Sequence, residues 1–236
     1  MLFANTGLGL LWIVLQPLGI MVVITVVLGM FAKIPSGNIP YSALVLSGLV
    51  PWMYFSSSVV ESCTSISSNA NLISKVYFPR LILPVVPLVS GLVGLTILLL
   101  LSMAVALIYG FTPGLNWLFL PAPLVLCVLL ALGFGLWTSA LNVKYNDLSK
   151  FLPVLLQLGM YASPIFYPPT LVPSAFLKYY SLNPFVGVII SFRWSLFGGF
   201  PFPYHAFAVA VIEALFLIMT GVYVFRRMED SFADIV

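Results

Sequence analysis

Apolar runs dominate the chain, and the polar residues that break them are few enough to be read one at a time. No Asp, Glu, Lys or Arg occurs before Lys33, nor over 34–60, 81–143 or 151–177. A helix rises about 1.5 Å per residue, so about 20 apolar residues cross the hydrocarbon core of a bilayer. The 81–143 run is long enough to cross twice, and Gly110, Pro113, Gly114 and Asn116 put its turn at 109–116. The pattern predicts six spans, near 8–32, 41–60, 81–108, 117–141, 151–167 and 206–225. Between the last two lies Phe185–Phe197, largely apolar but interrupted by Arg193 and only about 20 Å long as a helix. It is expected to be re-entrant or interfacial.

Composition settles the class. Of 236 residues, nine are Lys or Arg and six are Asp or Glu, or 6% charged, where a soluble domain carries about a quarter. Hydrophobic residues make up 62% and the mean hydropathy is +1.16. So few charges cannot cover a water-exposed surface, and so apolar a chain does not stay disordered. The fold class expected is an all-α integral membrane protein, with 1–236 as one transmembrane domain. The N-terminus lacks a basic leader and its apolar run is too long for a cleavable signal. With the N-terminus in the cytoplasm, the inner side holds Lys75, Arg80, Lys144, Lys150, Arg226 and Arg227, and the outer side Lys33, Lys178 and Arg193. That excess inside places both termini in the cytoplasm.

Chemistry has little material. Basic residues are scattered rather than gathered into a patch, so no nucleic-acid partner is expected. His205 is the only histidine, which leaves no metal site and no Ser-His-Asp arrangement. Cys63 and Cys127 fall at different depths and read as unbridged packing residues. No G-x-x-x-x-G-K-[ST] run is present to cradle nucleotide phosphates. Glu213, in the last span, has two readings: an interhelical hydrogen bond or a role in transport.

Two stretches are more informative. Over Val59–Tyr77 the residues Val59, Cys63, Ile66, Ala70, Ile73 and Tyr77 recur at intervals of four and three, one stripe of a helix. Ser62, Thr64, Ser65, Ser67, Ser68, Asn69 and Asn71 face the other way, with Glu61 near the start. Such a helix either caps the bundle at the interface, or walls a polar conduit or docks a cytoplasmic partner. The second stretch, Pro168–Tyr204, is rich in Pro and aromatics, among them Tyr179, Tyr180, Phe185 and Trp194, with Tyr167 just before it. These aromatics fit an interfacial belt. They also fit a lid over an exit, where ring faces stack on sugar rings.

Read in order, several motifs resemble one family. Gly9-Leu10-Leu11-Trp12 leading to Pro17 opens the first span, and Gly48-Leu49-Val50-Pro51-Trp52 is followed by Tyr54-Phe55 in the second. Ser68-Asn69-Ala70-Asn71-Leu72-Ile73 runs into Lys75-Val76-Tyr77-Phe78-Pro79-Arg80 and Pro84. Asn142-Val143 precedes Asp147-Leu148, and Ala162-Ser163-Pro164-Ile165 is followed by Tyr180 and Asn183-Pro184. Together they resemble the membrane subunit of ABC-type polysaccharide and polyol-phosphate exporters, which include O-antigen, capsule and teichoic-acid permeases.

The resemblance implies a homodimer in the plasma (inner) membrane, joined to two cytoplasmic ATPase subunits that hold ATP and Mg, with no cofactor in this chain. A lipid-linked glycan would pass outward between the two copies. Carried over by position, Ser68, Asn69, Asn71, Lys75, Tyr77, Phe78 and Arg80, with Asn142 and Asp147, would couple to the ATPase. Trp12, Trp52, Tyr54 and Phe55 would line the channel. Tyr167, Tyr179, Tyr180, Asn183, Pro184, Phe185, Arg193 and Trp194 would form the outer gate. The family pattern begins with a basic amphipathic helix, where here only Met1–Thr6 precedes the Gly-rich opening, and it carries an Arg where this chain has Asn146. The alternatives are an ABC permease for a small molecule, an integral-membrane lipid-modifying enzyme, and a scaffold without a conduit. An enzyme would need ionisable residues clustered at one depth.

Overall fold

The computed structural model describes residues 9–69 and 78–229, and every regular element among them is a helix. Helix α1 (Gly9–Ile24) runs on as a π-helical stretch over Thr25–Phe31. It is followed by α2 (Tyr41–Thr64), α3 (Ile82–Ile108), α4 (Pro121–Lys144) and α5 (Leu148–Ala162). One helical turn, α6 (Leu177–Tyr180), precedes α7 (Pro184–Phe197) and α8 (Tyr204–Glu229). Among the described residues five segments are long and apolar enough to cross a membrane: Leu11–Phe31, Tyr41–Thr64, Ile82–Ile108, Leu115–Lys144 and Tyr204–Glu229. The helices α5 and α7 are shorter, at 15 and 14 residues.

Local chemistry explains most boundaries. Gly110, at φ +84°, turns the chain after α3, where the sequence places the break. The fifth apolar segment differs from expectation, because its helix covers 148–162 rather than 151–167. Pro164 is the reason: its ring forces the preceding residue out of helical geometry, and Ser163 is extended at φ −100°, ψ 155°. The stripe from Val59 is helical only to Thr64, then tightens into a 3-10 turn over Ser67–Asn69.

α2 is the central element. In its apolar stretch 78% of residues are buried, against 6% for the segment containing α1. α3 lies antiparallel to it, since the Tyr54 hydroxyl donates to the Leu88 carbonyl at 3.1 Å and the Ser62 hydroxyl to that of Pro84 at 2.8 Å. α4 lies parallel to it: the Cys127 thiol reaches the Pro51 carbonyl at 3.2 Å, and the Cys63 thiol reaches that of Thr138 at 3.7 Å. The two cysteines thus sit at separate levels of one helix pair, both unbridged.

α4 and α8 also run parallel. A β-carbon on Gly133 would come within 2.7 Å of Leu217 Cβ, and one turn further the Trp137 indole donates to Thr220 Oγ1 at 3.1 Å. Small residues permit this closeness; a β-carbon on Gly221 would lie 3.1 Å from the Gly133 carbonyl. α5 opposes α2, with Ile165 against Gly48 and Gly159 against the Trp52 ring. A large apolar core surrounds α2, and a smaller one gathers Ile66, Leu83, Leu136, Ala140, Val143 and Phe225. The bundle therefore has two ends, an aromatic one near Tyr41, Trp117 and Trp194 and a hydroxyl-rich one near Ser65 and Asn142.

Candidate functional site

At the aromatic end, Asn183 and Pro184 start α7 as an N-cap and first-turn proline do elsewhere. The Asn183 side-chain Oδ1 accepts from the Phe185 backbone N–H at 2.9 Å. Its amide also donates to Ser163 Oγ at 3.0 Å and to the Ala162 carbonyl at 3.3 Å, tying α7 to the end of α5. Phe185 is buried, its ring centroid 4.7 Å from that of Trp52 and 4.5 Å from that of Phe55. Edge-to-face contacts of this kind add to the burial of the rings themselves.

Arg193 is the strongest tie. It is only 3% exposed, its Nε donates to Ser47 Oγ at 3.1 Å, and its Nη2 donates to the carbonyls of Leu44 at 2.8 Å and Ile165 at 3.0 Å. One side chain therefore joins α7, the start of α2 and the turn after α5. The Tyr41 hydroxyl donates to the Phe166 carbonyl at 2.7 Å, closing the same turn onto α2. Trp194 faces away, stacked edge-on against Phe119 and Phe202.

The residues read as an outer gate thus separate into two groups. Asn183, Pro184, Phe185 and Arg193 belong to a braced block, whereas Tyr167 and Tyr180 stack loosely at 6.4 Å and Tyr179 is 75% exposed. The strip 168–182 closes its own turns, through bonds such as Val172 to Pro169 and Leu182 to Tyr179. Burial pushes the Tyr180 hydroxyl well above its ordinary pKa, with the Arg193 charge nearby opposing. Between this strip and the start of α8 opens a cleft of about 600 Å³, lined by Leu177, Tyr180, Ile190, Phe202, Tyr204 and His205 among others. His205 is exposed on its rim.

The four residues read as channel lining are also divided. Trp12 is 54% exposed on α1, whereas Trp52, Tyr54 and Phe55 are 5% exposed or less inside the core of this one chain. Exposed apolar side chains are carried instead by α5, in Phe151, Val154, Leu158 and Tyr161, the helix whose Gly159 meets the Trp52 ring.

At the other end, Val59, Cys63 and Ile66 are buried as the stripe requires, and Ser67, Ser68 and Asn69 are exposed. Ser62 and Ser65, read as part of the polar face, are buried instead. Their hydroxyls turn back to carbonyls, Ser62 to Pro84 and Ser65 to Ser62 at 2.7 Å, which lets a serine occupy an apolar interface. Asn142 is buried and accepts from the Ser149 backbone at 3.0 Å, setting the α4–α5 turn. Asp147 is exposed and pairs with Lys150 at 3.2 Å. Phe78 packs on the small core, and the Arg80 guanidinium bonds the backbone carbonyl of Glu229 at the end of α8. A cation there complements the helix dipole. Asn71, Lys75 and Tyr77 lie outside the described residues. Glu213 is partly buried on α8, with one carboxylate oxygen enclosed and making no hydrogen bond.

Sequence reasoning missed Tyr41 and Ser47, partners that fasten the aromatic end, named Ile165 only within a motif, and missed the rings Phe119 and Phe202 around Trp194. The two rings sit beside helix breaks in an aromatic-rich context, which is a usable signal. Nothing local to Ser47 points to an arginine 146 residues away.

Residues 1–197 match the family described as ABC-2 type transporter. An O-antigen export system permease protein, RfbA, of Klebsiella pneumoniae is 28% identical, over 99% of this chain and 90% of its own length. An RfbA of the same description from Myxococcus xanthus is 27% identical over 98% of this chain and 89% of its own. The polysialic acid transport protein KpsM of Escherichia coli is 24% identical over 97% of this chain and 89% of its own.

Proposed function

The chain belongs to the ABC-2 type transporter family, and from that premise we propose that it is the membrane subunit of an ATP-driven exporter of a lipid-linked polysaccharide. The observation that carries this reading is the match, over nearly its whole length, to permeases named for O-antigen export and polysialic acid transport. Nucleotide chemistry is assigned to a separate cytoplasmic ATPase, because the sequence carries no phosphate-cradling loop.

Topology supports six crossings, which we assign to the plasma (inner) membrane. α4 and α8 run parallel, so the chain between them crosses an odd number of times, and α5 is the helix there that opposes α2. The short α7 is then interfacial or re-entrant on the outer side, and both termini are cytoplasmic. The hydroxyl-rich end faces the cytoplasm, where exposed Ser67, Ser68 and Asn69 offer hydrogen-bonding groups to the ATPase. The aromatic end is the exit. Two copies would enclose the path, using the exposed faces of α1 and α5 with Trp12, Phe151, Leu158 and Tyr161.

Two measurements test the reading together. Cells lacking the chain are expected to accumulate lipid-linked glycan on the cytoplasmic leaflet. Purification in mild detergent is expected to recover an ATPase at equal stoichiometry, and that recovery is expected to fall in Lys75→Glu. Normal glycan export without the chain would sink the substrate assignment, and a protein that purifies with no ATPase would sink the transport assignment altogether.

A further inference from the structure

Gln157 is the one amide side chain on α5, and it is exposed. Its depth follows from α2. Gly159, two residues on, meets the Trp52 ring, and Trp52 is the twelfth of the 24 residues of α2. Gln157 therefore lies within about 3 Å of that level along the helix axis, close to the middle of the membrane. Its direction follows from helical geometry. Leu152 is buried and Gly159 touches α2, so these two mark the inward face. At about 100° per residue, 150, 154, 157 and 161 fall on the opposite face, within roughly 60° of one another. All four residues are exposed. One line of α5 thus carries Lys150 at the hydroxyl-rich end, Gln157 at mid-depth and Tyr161 at the aromatic end.

Hydrocarbon does not suit this line. An outward amide at mid-depth would be costly to place against lipid tails, and polar groups within spans face protein or a water-filled cavity instead. A tight seam between two copies of the helix does not suit it either. Such seams use Gly, Ala, Ser or Thr to bring backbones close, and Lys150, Val154, Gln157 and Tyr161 include none of them. A wet path does suit it, because polar groups then follow one another from one side of the membrane to the other. We propose that Gln157 is a glycan-contacting residue of the export path, its amide donating to and accepting from sugar hydroxyls as they pass mid-membrane. A neutral amide carries donors and an acceptor together, so it serves successive hydroxyls of either polarity. It holds none of them as strongly as a charged group would, which suits a polymer that has to slide. Tyr161, one turn nearer the exit, adds a ring face and a hydroxyl on the same line.

This assignment deepens the export reading and rests on it for the identity of the sugar, whereas the wetness of the face rests on the geometry of α5. The test uses the full-length chain with its ATPase partner in membrane vesicles, during ATP turnover. Gln157→Cys is treated with a membrane-impermeant methanethiosulfonate, which reacts with the thiolate and so with a hydrated thiol. Cys63 and Cys127 are buried, and the parent chain gives their background. The comparison is Phe216→Cys, on an exposed apolar position of α8. Gln157→Cys is expected to label at least about tenfold faster than Phe216→Cys. Equal rates would mean a dry face and overturn the assignment. So would a ready disulfide between two copies of Gln157→Cys, which needs Cα atoms within about 7 Å and leaves no room for a sugar. Export is then measured in the same vesicles. Gln157→Leu is expected to slow it about fivefold, as loss of one hydrogen bond does, with ATPase recovery unchanged, and Gln157→Asn to keep at least about half. Normal export by Gln157→Leu, or an Asn variant as slow as the Leu one, would overturn the sugar contact. A parent chain that exports no glycan would instead sink the export reading and the sugar contact with it, while the labelling would still report a wet path.

Discussion

The two ends of this bundle are stabilised by different means. At the aromatic end, contacts join residues far apart in the chain: Arg193 to Leu44 and Ser47, Tyr41 to Phe166, Trp117 to the Leu196 carbonyl, and Phe119 to Phe202. At the hydroxyl end most side-chain bonds are local, three or four residues back along the same helix, as in Ser65 to Ser62 and Ser68 to Thr64. Long-range ties there are fewer, among them Ser62 to Pro84 and Arg80 to the end of α8. Hydroxyls already bonded within their own helix cost little to expose, so that face is ready to meet a partner without rearranging. The aromatic end instead forms a rigid block with one loosely attached strip.

The contrast yields three substitutions, ordered by expected effect. Gly187 packs α7 directly onto α8, and any β-carbon there would run into the Ala206 carbonyl oxygen. Gly187→Leu is therefore expected to abolish a monodisperse peak in detergent size-exclusion chromatography; a normal profile would mean the aromatic end is not rigid. Arg193→Met keeps the bulk but leaves the Leu44 and Ile165 carbonyls without this donor, and should cost about 3 kcal/mol, as losses of charged hydrogen bonds do. Thermal unfolding in detergent measures it, and a melting temperature equal to the parent's would remove Arg193 as the central tie. Ser62→Ala, at the other end, removes a single bond to Pro84 and should cost about 1 kcal/mol. A loss from Ser62→Ala as large as that from Arg193→Met would erase the distinction between the ends.

Much of the helix map was legible because a hydrocarbon slab imposes a length rule on uncharged runs. The third span, expected at 81–108, is a helix over Ile82–Ile108, and the break at 109–116 falls where Gly110 turns the chain. The fifth is where that rule fails, since hydropathy cannot distinguish the helix to Ala162 from the apolar turn after it; the proline rule could have. The site was legible in part. The short segment expected over Phe185–Phe197 is a helix over Pro184–Phe197, and the Val59–Ile66 stripe announced a buried face. Ser62 and Ser65 misled because a serine bonded to a carbonyl behaves as a small core residue, and side-chain type alone does not reveal that bond.

What the chain determines residue by residue is its solvent and its elements. Fifteen charges among 236 residues commit it to lipid, and Gly110 and Pro164 set where two of its helices stop. Only the tertiary structure decided which aromatics are core and which are exposed, because Trp12 and Trp52 share a composition and differ in neighbours. It alone made Arg193, a charge that breaks an apolar run, into the tie that joins three segments. A hydrogen bond across more than a hundred residues depends on where two helices cross, and that crossing is set by the packing of the whole bundle.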